Sequence, residues 1–219
     1  MTPERRVSPW WMLLPAILFV LNFVGGVTGG GDDRSNEVYD LTGLVASGIV
    51  EAALAGYALV AARFSEGPVG EILALRRVPL RSALAVAGAG LGVILVSEAV
   101  LDPIFNGGEQ QGIEPTHSPQ TSHQWAAVAV AAVMLVLVAP VAEELVFRGL
   151  GFAAFGPVAV PVTSLLFAIA HGLPSLVVEV AVAGLVLAVL RRRTSSVLPG
   201  MGVHMAFNGA ALVIAFLTV

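Results

Sequence analysis

Seven apolar stretches follow one another along this chain, and they leave little sequence for a soluble domain. They occupy residues 10–27, 41–62, 84–101, 125–155, 157–170, 176–190 and 197–219. About 20 consecutive apolar residues span the hydrocarbon core as an α-helix. Only 12% of the residues are charged, against about 25% in soluble domains. The sequence therefore predicts an all-α, polytopic transmembrane helical bundle of about seven spans, and an eighth, interfacial helix around Phe152 is compatible with the pattern.

The arginines predict the direction of the spans. Short loops rich in basic residues stay on the cytoplasmic side of a membrane. An inside N-terminus places the arginines of the loop 63–81, the turn after Arg148 and the cluster 191–193 inside, and it leaves the arginine-poor loops 29–40 and 102–124 outside. We therefore expect an integral membrane protein with its N-terminus inside. The glycine- and alanine-rich composition gives a bacterial impression, and the bacterial plasma membrane is the expected location.

The long polar loop divides the chain into two parts of one membrane domain. Residues 1–124 hold the first three spans and the outer loop, and residues 125–219 form a four-span core. The first stretch also suits a secretory signal, but no small-x-small cleavage site follows it, so we interpret it as an uncleaved span. The chain has no cysteine, which excludes disulfides and thiolate metal sites. No nucleic-acid partner is expected.

Two adjacent carboxylates and an arginine lie near the end of the fourth stretch. In a helix, Glu144 and Arg148 are one turn apart and can form an ion pair. Glu143 points to a neighbouring face and has no such partner in its own helix. An ionised side chain costs about 2.5–3.5 kcal/mol or more at the bilayer centre, so the three residues predict either a structural charge network or a functional site.

More polar residues occur in the fifth and seventh stretches. His171 ends the fifth, and His204 and Asn208 are four residues apart in the seventh. The Gly156-Pro157 turn folds the fifth stretch back on the fourth. Glu143 and His171 then lie at similar depths, about 20 and 22 Å from the turn at 1.5 Å per residue. We therefore expect two glutamates, two histidines and an asparagine to converge within the bilayer.

These residue types support peptide hydrolysis in two ways. A desolvated carboxylate such as Glu143 suits a general base, and His204 and Asn208 are placed to donate hydrogen bonds to a developing oxyanion. Alternatively, Glu143, His171 and His204 from three helices make a plausible zinc set with an open position for water. The residues alone leave both mechanisms open.

The order of these residues resembles a known signature. It consists of Glu143-Glu144-x-x-x-Arg148, Phe167-x-x-x-His171 and His204-x-x-x-Asn208, each motif in its own apolar stretch. The pattern, over residues 125–211, resembles the CAAX-protease and bacteriocin-processing (CPBP, or Abi) family of intramembrane endopeptidases. The resemblance implies that Glu143 and His171 activate water, that His204 and Asn208 form the oxyanion site, and that the ion pair braces its helix. It also implies a hydrophobic or membrane-associated peptide substrate, with the metal left open.

Two interpretations without peptidase activity remain. A non-catalytic or transport-type membrane protein could use the same buried charges, and a scaffold could bind partner spans through glycine-rich faces. Catalysis predicts one pocket that holds all five polar side chains, whereas transport predicts a polar path to the outer loops. Three further carboxylates in apolar stretches have no assigned role, namely Glu51, Glu98 and Glu179. The glycines expected to permit close helix packing are Gly88, Gly92, Gly184, Gly200 and Gly202.

Overall fold

The computed structural model describes residues 7–28, 37–105, 115, 117–172 and 177–217, and all regular structure within these ranges is helical. The helices are α1 (Leu13–Thr28), α2 (Leu41–Arg63), α3 (Val69–Ile72), α4 (Leu80–Phe105), α5 (residues 122–155), α6 (Ala159–Ala170), α7 (Val177–Thr194) and α8 (Leu198–Leu217). Short 3₁₀ segments cover Pro9–Met12, Glu37–Tyr39 and Gly156–Val158. Parts of the predicted outer loops 29–40 and 102–124 lie outside the described residues.

Helices long and apolar enough to cross a membrane confirm the all-α, integral membrane class. By length and composition they are Leu41–Arg63, Leu80–Leu101, Ser122–Ala170 and Leu198–Leu217, and a shorter apolar helix covers Pro9–Gly25. The stretch Ser122–Ala170 has 49 residues, more than twice what one crossing needs. The count of seven spans stays a prediction.

The interfacial helix considered around Phe152 is not a separate element. Phe152–Phe155 is helical, but it continues α5 directly as its last turn. The additional short helix is α3, Val69–Ile72, which lies in the arginine-bearing loop between α2 and α4.

The predicted hairpin between α5 and α6 is confirmed. Its turn lies at Gly156-Pro157, where Gly156 has a φ of 55° that glycine adopts without a Cβ clash. Phe147 and Phe167, equally far from Pro157 along the chain, contact each other with ring centroids 5.2 Å apart. The same count of residues predicts that Glu143 lies on the level of His171.

Helix α5 contains two π-helical segments, Met134–Val138 and Glu144–Gly151. In the first, the N–H of Ala139 donates to the carbonyl of Met134, five residues earlier. The next residue, Pro140, has no N–H to continue an α-helical ladder. π-Helical turns are rare and often occur at functional sites, and the second segment carries the carboxylate–arginine pair.

Helices α2 and α5 run side by side in the same direction. A Cβ on Gly48 would lie 2.3 Å from the sulfur of Met134, so the two helices are in close contact there. Further along, Leu73, which follows α2, lies against Gly149, whose Cβ would be 3.3 Å from the Leu73 Cα. These two contacts require α2 and α5 to be parallel. In the predicted seven-span arrangement they are the second and fourth spans, and both run from the outside to the inside.

The connections gather in two groups that match the arginine pattern. In the arginine-bearing group, the N–H of Val197 donates to the carbonyl of Ala74 at 3.1 Å. In the arginine-poor group, the hydroxyl of Tyr39 donates to the carbonyl of His117. Loops predicted on one side of the membrane therefore contact each other, which supports the predicted alternation of the spans.

The predicted packing face of α4 is wrong. Nothing lies within 4 Å of a Cβ built on Gly88 or Gly92. Gly90 is the glycine of α4 that meets α7, since its Cβ would be 2.9 Å from a methyl carbon of Leu190. Helix α4 therefore packs against α7 through the face that carries Gly90, not through the face that carries Gly88 and Gly92.

Cysteine labelling tests the orientation. The natural chain has no cysteine, so Ser65→Cys and Ser118→Cys each introduce a single reactive site. We expect a membrane-impermeant thiol reagent to label the Ser118 position from outside intact cells and the Ser65 position only after permeabilisation. Labelling of both positions from the same side would contradict the seven-span arrangement.

Candidate active site

Arg148 is fully buried and is held from three sides. Its Nη1 lies 3.0 Å from Oε1 of Glu144, which confirms the predicted ion pair. Its Nη2 donates to the carbonyl of Gly184 in α7 at 2.9 Å. The guanidinium carbon also lies 4.2 Å from the ring centroid of Phe167, within cation–π range. Arg148 therefore ties α5 to both α6 and α7.

The ring of His204 lies between the two adjacent carboxylates. Its Nε2 is 3.5 Å from Oε2 of Glu143, and its Nδ1 is 3.9 Å from Oε1 of Glu144. The His204 side chain is 7% exposed and that of Glu143 is 17% exposed. Glu143, which has no partner in its own helix, therefore finds one in α8.

His171 reaches the site through the ring of Phe167. A carbonyl oxygen only accepts, so the 2.8 Å contact from Nδ1 of His171 to the Phe167 carbonyl places a proton on Nδ1. The neutral ring then keeps Nε2 as an acceptor. The phenyl ring of Phe167 contacts both His171 and His204, at centroid distances of 4.8 and 5.7 Å. Within the described residues, no ion pair joins His171 to either carboxylate.

Asn208 connects α8 to the first π-helical segment. Its Nδ2 donates to the carbonyl of Leu135 at 2.8 Å. That carbonyl lacks its α-helical donor, because the N–H of Ala139 donates to Met134 instead. A side-chain amide has two N–H donors, so one remains on the side chain that lies one turn after His204.

The C-terminal part of the chain is similar to a known protein family. Residues 124–210 match the model of a family described as type II CAAX prenyl endopeptidase Rce1-like. We call this matched segment, which is similar to that family, the Rce1-like domain. This confirms the resemblance inferred from the three motifs, all of which fall within the matched segment. No curated protein and no solved structure matches the chain.

Glycines of the Rce1-like domain let its helices approach the charged residues. A Cβ on Gly200 would lie 2.6 Å from Oε2 of Glu144, and one on Gly184 would lie 3.1 Å from a ring carbon of Phe167. Close packing at these two positions is as predicted. The same prediction is wrong for Gly202, which has nothing within 4 Å of a Cβ.

This difference gives a matched pair of variants. Gly200→Ala should destabilise the protein by about 1–3 kcal/mol, the range for an overpacked site, because the new methyl group displaces the Glu144 carboxylate. Gly202→Ala adds the same methyl group two residues away, where there is space. Thermal unfolding of both variants in one detergent checks this, and equal midpoints would contradict it.

The side chains of the Rce1-like domain do not form a ready metal site. Within the described part of the chain, no three His, Asp or Glu side chains are grouped so that they could hold a metal ion. A metal held by Glu143, His171 and His204, the zinc set inferred from the sequence, therefore stays a prediction.

One carboxylate outside the Rce1-like domain lies at the site. Helix α2 packs along the part of α5 that carries Glu143. Glu51 of α2 is close enough to Glu143 for the two carboxylates to interact electrostatically. One Glu51 oxygen is buried and has no hydrogen-bond partner. In the sequence, the only indication that Glu51 has a function is that it is a single carboxylate within an apolar span.

The other two unassigned carboxylates lie elsewhere in the bundle. Glu179 is 1% exposed in the first turn of α7, and Glu98 is half-buried in α4.

Proposed function

We propose that this chain is an intramembrane endopeptidase that uses water to cleave a peptide bond in a hydrophobic or membrane-associated substrate. The observation that carries the proposal is the buried His204 ring between Glu143 and Glu144 within an Rce1-like domain. A titratable cluster of this kind is costly in a membrane protein and marks a functional site.

In the proposed reaction, Glu143 is the general base. It takes a proton from a water molecule as the water oxygen attacks the carbonyl carbon of the substrate. Positioned acid–base groups of this kind contribute about 10²–10⁴-fold to the rate. His171, whose Nε2 is not used by the Phe167 carbonyl, accepts a second hydrogen bond from the water and orients it.

His204 and Asn208 are the proposed donors to the oxyanion. They lie one turn apart on α8, so an N–H of each can point to one oxygen atom. When the tetrahedral intermediate collapses, the carbon–nitrogen bond breaks and the proton held by Glu143 passes to the leaving nitrogen. The products are a new carboxylate and an amine, and Glu143 returns to its starting state.

Glu144 acts as a positioning residue in this scheme. It faces Nδ1 of His204 on one side and pairs with Arg148 on the other. Because Arg148 is also bonded to Gly184 of α7, the carboxylate that orients His204 is itself fixed.

The test is hydrolysis in water labelled with heavy oxygen. The protein is reconstituted into liposomes with membrane peptides, in versions with and without a C-terminal prenyl group, and the products are analysed by mass spectrometry. Hydrolysis places one labelled oxygen in each new carboxylate. Comparison of the two peptide versions decides whether the lipid group is part of the substrate.

Two results would contradict the proposal. One is the absence of new peptide ends with every substrate version in liposomes that contain folded protein. The other is cleavage that is equally fast in the Glu143→Gln variant, because it would come from a contaminating protease. Flux of an ion or peptide across the liposome without cleavage would instead favour the transport-type interpretation.

A further inference from the structure

Two separate arginine-bearing segments are fixed side by side at the end of the bundle that we predict to be cytoplasmic. The hydroxyl of Ser196 donates to the carbonyl of Arg76 at 2.6 Å, and the N–H of Val197 donates to the carbonyl of Ala74 at 3.1 Å. These bonds join the α2–α4 connection to the α7–α8 connection. We call the five arginines on or beside these two connections the arginine junction: Arg76, Arg77, Arg191, Arg192 and Arg193.

The exposed charges of the arginine junction have no ion-pair partner within the described residues. Arg76, Arg77, Arg192 and Arg193 are exposed, and no carboxylate in the described part of the chain forms an ion pair with any of them. Arg76 and the half-buried Arg191 are close enough for their positive charges to repel each other. Guanidinium groups held together in this way are complementary to an anion.

The preference of arginines for cytoplasmic loops explains why they occur on this side of the membrane. It does not explain why the two connections that carry them are bonded to each other. Ser196 is fully buried. Ala74 and Ser195 adopt φ angles of 53° and 54°, a region that residues other than glycine rarely occupy. Such conformations persist only where the surroundings impose them. The two connections are therefore built into one rigid surface rather than being two independent loops.

We propose that the arginine junction binds the phosphate of an anionic phospholipid headgroup. Arginine forms planar, bidentate hydrogen bonds with phosphate, and clusters of four to eight basic residues next to a membrane helix are typical of anionic lipid sites. The phospholipid is favoured over free phosphate because α2, α4 and α7 have their ends at this surface and place it at the level of the headgroups.

A lipid bound here would reach the active site through Arg191. The Nε of Arg191 donates to the carbonyl of Arg148 at 3.0 Å, and its guanidinium lies 5.2 Å from the ring centroid of Phe152. Arg191 thus joins the arginine junction to the second π-helical segment of α5. A bound phosphate would relieve the repulsion between Arg76 and Arg191 and would thereby stabilise the fold around the Glu144–Arg148 pair. This effect does not depend on whether the chain is a peptidase.

Thermal unfolding of the purified protein tests the site. The protein in neutral detergent is mixed with phosphatidylglycerol, with phosphatidylcholine or with inorganic phosphate. Phosphatidylglycerol at a hundred times its Kd should raise the Tm by roughly 5–10 °C. The other two additions should change it much less.

Two double variants each remove two charges from residues 63–81, which are the α2–α4 connection and the helix ends beside it. Arg76→Gln with Arg77→Gln should abolish the shift, and Arg63→Gln with Arg81→Gln, outside the arginine junction, should keep it. If the first variant does not fold, Arg192→Gln with Arg193→Gln replaces it. An equal shift with phosphatidylcholine or with inorganic phosphate overturns the lipid assignment, and an equal loss in both loop variants overturns the site.

Discussion

Replacement of Glu143 by glutamine is expected to abolish turnover while the protein stays folded. Glutamine has nearly the same shape, and its amide can keep the contact with Nε2 of His204, but it cannot take a proton from water. The expected loss is about 10²–10⁴-fold. The measurement is the initial rate at which heavy oxygen enters new peptide carboxylates, with thermal unfolding of the same preparation.

Glu98→Gln is the matched control, because Glu98 is also a partly buried carboxylate in a membrane helix but lies in α4. It should leave the rate of hydrolysis close to that of the natural protein. A Glu143→Gln variant that keeps more than about a tenth of the activity would remove Glu143 from the role of base, since positioned bases contribute far more than this.

The hairpin was predictable because its geometry depends on one turn. Gly156-Pro157 is a strong turn signal, and counting residues from it predicted that Glu143 and His171 lie on one level. The contact between Phe147 and Phe167 follows from the same count. Two helices joined by a fixed turn leave the depth of residues near that turn with little freedom.

The identity of the histidine that meets Glu143 was not predictable in the same way. Depth along a helix says nothing about rotation around its axis, and the π-helical segments of α5 change that rotation. His204 of α8, not His171 of α6, forms the ion-pair contact with Glu143. Pro140, within an apolar helix, was the available signal for an irregular ladder.

The position of Glu51 could not be predicted from the sequence for a related reason. Its place at the site depends on which face of α2 packs against α5, and this is decided by the contact of Gly48 with Met134. Both residues are apolar or small within long apolar helices, so nothing in the sequence favours this pair over others. Glu51 also lies outside the Rce1-like domain, whose motifs contain the other residues of the site.

Removal of Arg148 is expected to cause the largest loss of stability in the chain. Arg148→Ala leaves Glu144 buried without its counter-charge and leaves the Gly184 carbonyl without its donor. Loss of one partner of a buried ion pair costs about 3–5 kcal/mol. Glu144→Gln should destabilise by a similar amount, whereas Glu143→Gln should not, and thermal and denaturant unfolding in one detergent compare the three.

A double variant separates the ion pair from the packing of the arginine side chain. If the cost of Arg148→Met arises from the uncompensated Glu144 charge, addition of Glu144→Gln should restore part of the stability, because apolar replacement of both partners is often tolerated. If it arises from lost contact with Phe167, the two losses should add. Arg148→Lys should fall between these cases, since a lysine keeps the charge but has no planar group to bridge Glu144, Gly184 and the ring. If the losses in the free energy of unfolding are strictly additive and Arg148→Lys is fully stable, the ion pair does not stabilise the helix as proposed.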